Sequence, residues 1–325
     1  MRKACVALAC AVALTAAHGV RAQTYPSRPV TIVVGFAAGG PSDTIARILV
    51  EPMRRALGQP VIVENVTGAG GSIGILRAVR ATPDGYTLNL GNWTTHVGGS
   101  ALHAASFDVL NDLAPVAPLP SAPLLLVGRG TLPPNNVPEL IAWLQAHPGQ
   151  ATAGIVGFGS GAHVCGIDFQ NKTGTRFQFV PYRGGAPAMQ DLLAGQIDLR
   201  PGTEASTALP YLRDRKLKGY AVLARTRWRS MPDLPTIDEG GVPGLHIALW
   251  HGLWAPRDTP SDIVAKVSAA VAEAWSDPVV RQRLDSMGMD LPRPEQQTPG
   301  ALAAFHKAEV EKWWPIIKAA GIKAE

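Results

Sequence analysis

Cysteine is nearly missing from this 325-residue chain: there are three, and Cys5 and Cys10 both stand within the first ten positions. Long apolar runs are missing too. The stretch from Ala4 to Ala17 is shorter than the ~18 residues that argue for a membrane span, and nothing downstream rivals it. It lies between Arg2-Lys3 and the small-residue step Val20-Arg21-Ala22, the pattern of a secretory signal peptide over residues 1–22, cleaved after Ala22. The mature chain then keeps Cys165 alone, so no internal disulfide can form and stability must come from packed cores. Between Val164 and Gly166, Cys165 reads as a small buried hydrophobe rather than a reactive thiol.

Clustered positive charge is also absent. Lysine plus arginine number 30 against 25 acids, a formal charge of +5. The leader takes away Arg2, Lys3 and Arg21 and no acid, leaving 27 against 25. That thin balance argues against nucleic acid and membrane surfaces as partners and predicts an exported, soluble protein without stable membrane insertion.

Catalytic and cofactor signatures are missing in the same way. Ser160 follows Gly159 directly, which breaks the G-x-S-x-G spacing of a hydrolase elbow. His163 and Cys165 alone do not make a zinc spacing. Gly68-Ala69-Gly70-Gly71-Ser72-Ile73-Gly74 loosely imitates a dinucleotide fingerprint, but the following strand ends in Gly91-Asn92-Trp93 without the acid that would hold a ribose. No metal, cofactor or catalytic residue is assigned.

What the chain does have is two glycine-rich turns, each after a β-branched run: VTIVVGFAAGGPSD from Val30 and VIVENVTGAGGSIG from Val61. Each run reads as a buried parallel strand and each turn opens a helix, so both offer free backbone N–H groups at a helix's positive end. Neither turn contains Lys or Arg. An anion there is held by oriented amides, which suits a ligand that must be released as well as caught.

Strands and helices alternate along most of the chain, the signature of α/β layers. Val30 to Gly35, Val61 to Glu64 and Thr87 to Gly91 read as strands, with helices Pro41 to Leu57 and Ser72 to Ala81 between them. A second series starts after Leu119-Pro120-Ser121-Ala122-Pro123, with strands Leu124 to Gly128, Ala151 to Ile155, Arg176 to Tyr182, near Ile197, and Gly219 to Ala224. Its helices are expected at Val137 to His147, Ala162 to Thr173 and Ala186 to Ala194. A last strand, Ala248 to Trp254, precedes helices that begin near Thr259, Pro278 and Gly300. These helices bring no new strand series, so they are returned to the first unit. The expected division is residues 23–123 plus 245–325 for one domain and 124–244 for the other. Two crossings between lobes restrict motion to opening and closing about a cleft.

The candidate binding residues follow from the turns. Phe36, Ala38, Gly39 and Gly40 form the first; Asp43 either caps its own helix or meets the ligand. Ala69, Gly70 and Gly71 form the second. At the end of the third strand, Trp93 either stacks on a planar ligand or plugs the domain, Thr94 can donate to an anion, and His96 is expected at the surface. From the other lobe, Ser160 reads as a helix N-cap facing the cleft, with His163 one turn on. Arg183 and Gly184 lie in a further strand-to-helix turn, where Arg183 reaches a distal carboxylate or pairs with a surface acid.

With these residues in view the chain resembles the periplasmic substrate-binding receptors of tripartite tricarboxylate transporters, the Bug family. The likeness rests on YPSRP from Tyr25, GFAAGGPSDTIAR, GQPV leading into Glu64-Asn65 and GAGGSIG, PDGYTL from Pro83, VPYRGGAPAMQDLLAGQID, LPTIDEGGVPG and the Trp250 to Pro256 stretch. It implies a two-lobed α/β Venus flytrap, each lobe a mixed sheet flanked by helices. Such a receptor closes on a small carboxylate and delivers it to a membrane permease; a monomer is expected. It implies that the glycine loops hold the proximal carboxylate, through amides and bridging waters, and that second-lobe loops set distal specificity. Thr67, Leu113 and the bulky Gly91 to His96 turn depart from the family pattern. The last points to a planar or aromatic acid. A sensor presenting its ligand to a membrane kinase and a periplasmic enzyme are the competing readings.

Overall fold

The structure, a computed structural model, describes residues 25–102 and 106–319. The expected signal peptide lies outside the described residues.

Strand β1 (Val30–Val34) is buried at every residue but Thr31 because it has a parallel neighbour on each side. β2 (Val61–Asn65) pairs in the register Val30↔Val61 and β3 (Thr87–Asn92) in the register Thr31↔Thr87. A run of Val and Ile covered on both faces is what such a position selects. Helix α1 (Pro41–Leu57) joins β1 to β2, and α2 (Ser72–Val79) joins β2 to β3. The two glycine turns therefore emerge on one edge and touch: a Cβ on Gly35 would stand 2.8 Å from the carbonyl oxygen of Gly71.

β4 (Leu113–Arg129) is the spine of the molecule. Its first half pairs antiparallel with β9 (Ala248–Pro256), which also pairs with β3 through Asn92↔His251, so the first sheet runs β2-β1-β3-β9-β4. Its second half lies between β7 (Leu199–Glu204) and β8 (Leu217–Val222). β5 (Thr152–Ile155) and β6 (Gln178–Pro181) extend that sheet in parallel. Both sheets mix parallel and antiparallel pairs, and the molecule is a two-lobed α/β fold of the periplasmic-binding-protein type. Where Ala122 pairs with Leu249 and Pro123 with Ala248, two antiparallel strands carry the chain from one sheet to the other.

Two elements differ from the sequence expectation. Leu113 to Pro123, to which no strand was assigned, is strand although it holds Pro115, Pro118, Pro120 and Pro123. Within this stretch β4 pairs with β9 along one side and on the other meets only a single bridge, Ser121↔Asp290, among the described residues; an edge strand tolerates residues that lack an N–H. A helix at Ala205–Arg213 was also unforeseen, because Pro210 interrupts its pattern. Short helix α3 (Gly99–Leu102) follows a π-helical turn at Thr94–Gly98. The second sheet carries α4 (Val137–Ala146), α5 (Gly161–Thr173), α6 (Gly185–Leu193) and α7 (Ala205–Arg213). Of the C-terminal helices, α8 (Ser261–Ser276) packs on α1, α9 (Pro278–Ser286) packs on α8, and α10 (Pro299–Ala319) packs on β4 and the π-helical turn. Cys165 is buried, as a small hydrophobe would be.

Candidate functional site

The first lobe presents three turns to the cleft, after β1, β2 and β3. The second answers with the turns opening α5, α6 and α7. The lobes meet through backbone: the Ala37 N–H donates to the Arg183 carbonyl at 3.3 Å, and the Gly161 N–H donates to Thr94 Oγ1 at 3.3 Å. Glycines make this approach feasible. A Cβ on Gly98 would lie 2.0 Å from the Gly159 oxygen, and one on Gly157 would lie 2.9 Å from Gly70 Cα. This is a closed arrangement.

Two cavities lie where these turns meet. The inner one, about 40 Å³, is lined by Pro41 and Ser42 of α1, Asn92 and Thr94, Gly161 and Ala162 of α5, Gly185 of α6, and Arg200, Glu204 and Thr207. Four helix N-termini converge on it, each contributing roughly half a positive charge. Arg200 adds a full one. It is 4% exposed, its Nη1 donates to the Gly185 carbonyl at 3.3 Å, and its Nε has no partner among the described residues. Burial lowers its pKa to about 10, against the opposing pull of Glu204 and Tyr182. The outer cavity, about 330 Å³, lies between Gly68–Gly71 on one side and Gly157, Phe158, Tyr182 and Arg183 on the other. Phe36 borders both. The second turn runs through four residues at positive φ, +131, +45, +61 and +96 from Gly68 to Gly71, and closes on itself as the Gly71 N–H donates to the Gly68 carbonyl at 2.9 Å. Such a run is open to glycine and costly for Ala69.

The expected site residues fall into three groups. Phe36, Thr94, Ala69, Gly70, Gly71 and Arg183 border the cavities, and Gly184 abuts Ala37 across the cleft. A second group supports the turns. Asp43 is 2% exposed; its Oδ2 accepts from the Gly39 N–H at 2.9 Å and Arg47 Nε at 2.8 Å, and its Oδ1 accepts from Asn65 Nδ2 at 3.0 Å. The Gly39 amide is thereby spent within its own loop, and Ala38 and Gly39 face solvent outside both cavities. Gly40 is the residue before α1, and its carbonyl accepts from Thr44. Ser160 caps α5 by accepting from the His163 N–H at 3.2 Å. His163 is 6% exposed between Phe158 and Phe179, its Nδ1 accepting from the Gly159 N–H.

The third group corrects the expectation. Trp93 lines neither cavity: it has no exposed surface, and its ring meets Trp313 edge-on at 5.4 Å. It plugs the domain, which removes the stacking platform that had pointed to a planar acid. His96 is not at the surface either; it is fully buried and stacked on Trp254 at 3.8 Å. Strand β3 ends at Asn92, and Trp93 already has helical backbone (φ −49, ψ −43) as the residue that opens the π-helical turn; in that turn its ring meets Trp313 of α10.

The sequence reading passed over Ser42, Asn92, Arg200, Glu204 and Thr207. A signal was available in Asp198-Leu199-Arg200-Pro201-Gly202-Thr203-Glu204, where a buried strand carries charges that a core does not accept without a purpose.

Asp43 yields a stability prediction. Burial pushes its carboxyl up, but the bonds from Arg47, Gly39 and Asn65 outweigh burial and hold it below the ordinary value. A depressed folded pKa gives stability that is present above the unfolded value of ~3.9 and is lost as pH falls through the folded one. Asp43→Ala is expected to cost about 2 kcal/mol at pH 7 in urea unfolding. The gap from the parent should shrink below about pH 4; a gap of equal size at pH 7 and pH 3 would contradict this account.

A closed cleft between two mixed sheets, joined by paired strands and lined by helix N-termini, defines a solute-binding receptor of the periplasmic class. The profile described as Tripartite tricarboxylate transporter family receptor matches residues 45–322, and the chain belongs to that family. A UPF0065 protein from the TAR-I ttuE-ttuC' intergenic region of Agrobacterium vitis is 39% identical over 303 residues, covering 92% of this chain and 86% of that protein. Among solved structures, MatC from Rhodopseudomonas palustris with bound malate superposes with a TM-score of 0.86 at 38% identity, covering 90% of this chain and 100% of that one. An adipate-bound protein of R. palustris gives 0.86 at 30% identity, covering 92% and 99%. The protein is a periplasmic substrate-binding receptor.

Proposed function

We propose that this receptor captures a small carboxylate in the inner cavity, closes over it, and delivers it to the membrane permease of a tripartite transporter. The observation that carries the reading is Arg200. A guanidinium buried with an unpartnered Nε, where four helix N-termini converge, is a costly arrangement until an anion fills it. Similarity to malate- and adipate-bound structures supports a carboxylate as that anion. One carboxylate of the ligand lies on Arg200 and the amides of α1, α5 and α6. The turn Ala69–Gly71 and Arg183 line the route inward, where the remainder of a longer acid extends. Thr94 bonds the ligand from the first lobe, while Asp43, Ser160 and His163 hold the loops in shape.

On this reading the hinge divides the chain into 23–123 plus 245–325 and 124–244. The leader is removed after Ala22, and the receptor works as a monomer. Each charge-assisted hydrogen bond contributes ~1.5–3 kcal/mol, so a few of them offset the cost of closure and give micromolar or tighter binding.

A thermal-unfolding screen of mono- and dicarboxylates, with phosphate and sulfate as controls, tests the reading. A ligand that binds only the folded state raises the melting temperature with concentration. At least one carboxylate should do so and the inorganic anions should not. If none of the acids moves the transition, or phosphate moves it most, the carboxylate reading fails.

A further inference from the structure

Arg200 and Glu204 line one closed cavity without pairing: among the described residues no ion pair joins them. A regular strand would hold residues four apart on one face at ~13 Å. β7 bends instead at Gly202, in the left-handed region at φ +69, where a Cβ would stand 2.8 Å from Ala162 Cα. The bend wraps both side chains around the same space. Glu204 is 8% exposed, and its Oε2 has no partner. Its Oε1 faces His251 Nε2 at 3.9 Å, too far for a hydrogen bond. His251 Nδ1 donates to the Pro120 carbonyl at 3.2 Å, so Nε2 presents a bare lone pair and gives the carboxylate no compensating charge. Burial pushes the Glu204 carboxyl up to about 8 against the opposing pull of Arg200, and pushes His251 down to about 4. The cavity thus offers a cation and, beside it, a neutral carboxyl able both to donate and to accept.

We propose that Glu204 selects a hydroxy acid: the ligand's carboxylate rests on Arg200 while the adjacent 2-hydroxyl exchanges hydrogen bonds with the Glu204 carboxyl. The proposal rests on the carboxylate reading above. A hydroxyl matches a neutral carboxyl in both directions. A methylene in its place leaves Glu204 unpaired inside a closed cavity. An ammonium adds positive charge beside Arg200 and four helix N-termini, so the amino analogue is disfavoured too.

The test is calorimetric titration of the full receptor with sets of acids of equal length that differ only at carbon 2. Malate, succinate and aspartate form one set; 2-hydroxyglutarate, glutarate and glutamate another; 2-hydroxyadipate, adipate and 2-aminoadipate a third. Within the set of preferred length, the hydroxy acid should bind at least about tenfold more tightly than either analogue. Glu204→Gln should keep the preference, because an amide still donates and accepts. Glu204→Leu should lose it while keeping the affinity for the unsubstituted acid. Unsubstituted or amino acids that bind the parent as tightly as the hydroxy acid overturn the proposal alone, whether or not any variant folds. A folded Glu204→Leu that still prefers the hydroxy acid does the same. No binding in any set overturns the carboxylate reading and this proposal with it.

Discussion

Replacing Arg200 with methionine is expected to abolish carboxylate binding while leaving the empty receptor at least as stable as the parent. The two halves of that result have one cause. In the closed cavity the guanidinium has, among the described residues, a single hydrogen-bond partner, the Gly185 carbonyl, and its Nε has none. A buried charge in that condition weighs against the folded state, and an apolar side chain of similar length relieves the cost. A bound carboxylate reverses the balance, because a desolvated ion pair with shared hydrogen bonds is strong where water is excluded. Truncating one partner of such a pair typically costs 2–5 kcal/mol, which corresponds to a roughly 30-fold to several-thousand-fold loss of affinity. Calorimetry with the preferred acid measures the first half and thermal unfolding without ligand the second. A variant that binds within threefold of the parent would remove Arg200 from the site. One that loses binding through a large drop in melting temperature would mark it as a structural residue.

The same residue shows where legibility in the sequence stopped. The two glycine turns were readable because a β-branched run, a glycine cluster and a proline at the first helical position are local signals, and local sterics fix what they do. The two-lobed plan was readable because alternating elements and a late return strand leave few topologies. What could not be read depended on distant partners. The proline-rich half of β4 looks like a linker until β9, more than a hundred residues later, is seen to give it one covered edge. Arg200 and Glu204 look like strand residues until the Gly202 bend turns both toward α1 and Asn92 of the other lobe. His96 looks like a surface histidine until Trp254 and His306 close around it. Trp93 belongs with them: it leaves the strand for a π-helical turn, and its ring is covered by Trp313 of a helix more than two hundred residues later.

Blocking closure without touching the ligand is expected to have the next largest effect, and Gly184→Val is the substitution that isolates it. Gly184 sits at φ 168 and ψ 173, extended backbone that any residue adopts, so a side chain there brings no local strain. Each near neighbour of a Cβ at that position belongs to Ala37 of the opposite lobe: its N at 3.0 Å, its Cβ at 3.2 Å and its Cα at 3.6 Å. Those atoms are backbone or one bond from it and cannot swing aside. Valine adds two stiff methyl groups at the place where the Ala37 N–H meets the Arg183 carbonyl. The open form accommodates them; the closed form does not. If the ligand is held only when the lobes are shut, its apparent affinity falls with the population of that state. The expected loss is about 10- to 100-fold, near 1.4–2.8 kcal/mol, with the melting temperature of the empty protein almost unchanged. Gly184→Ala should fall between, because a single methyl needs the neighbour to give by only a few tenths of an ångström. Small-angle scattering supplies the independent measure: saturating ligand should compact the parent and not the valine variant. If Gly184→Val binds and compacts like the parent, the closed arrangement is not the state that holds the ligand, and the inner cavity loses its claim to be the site.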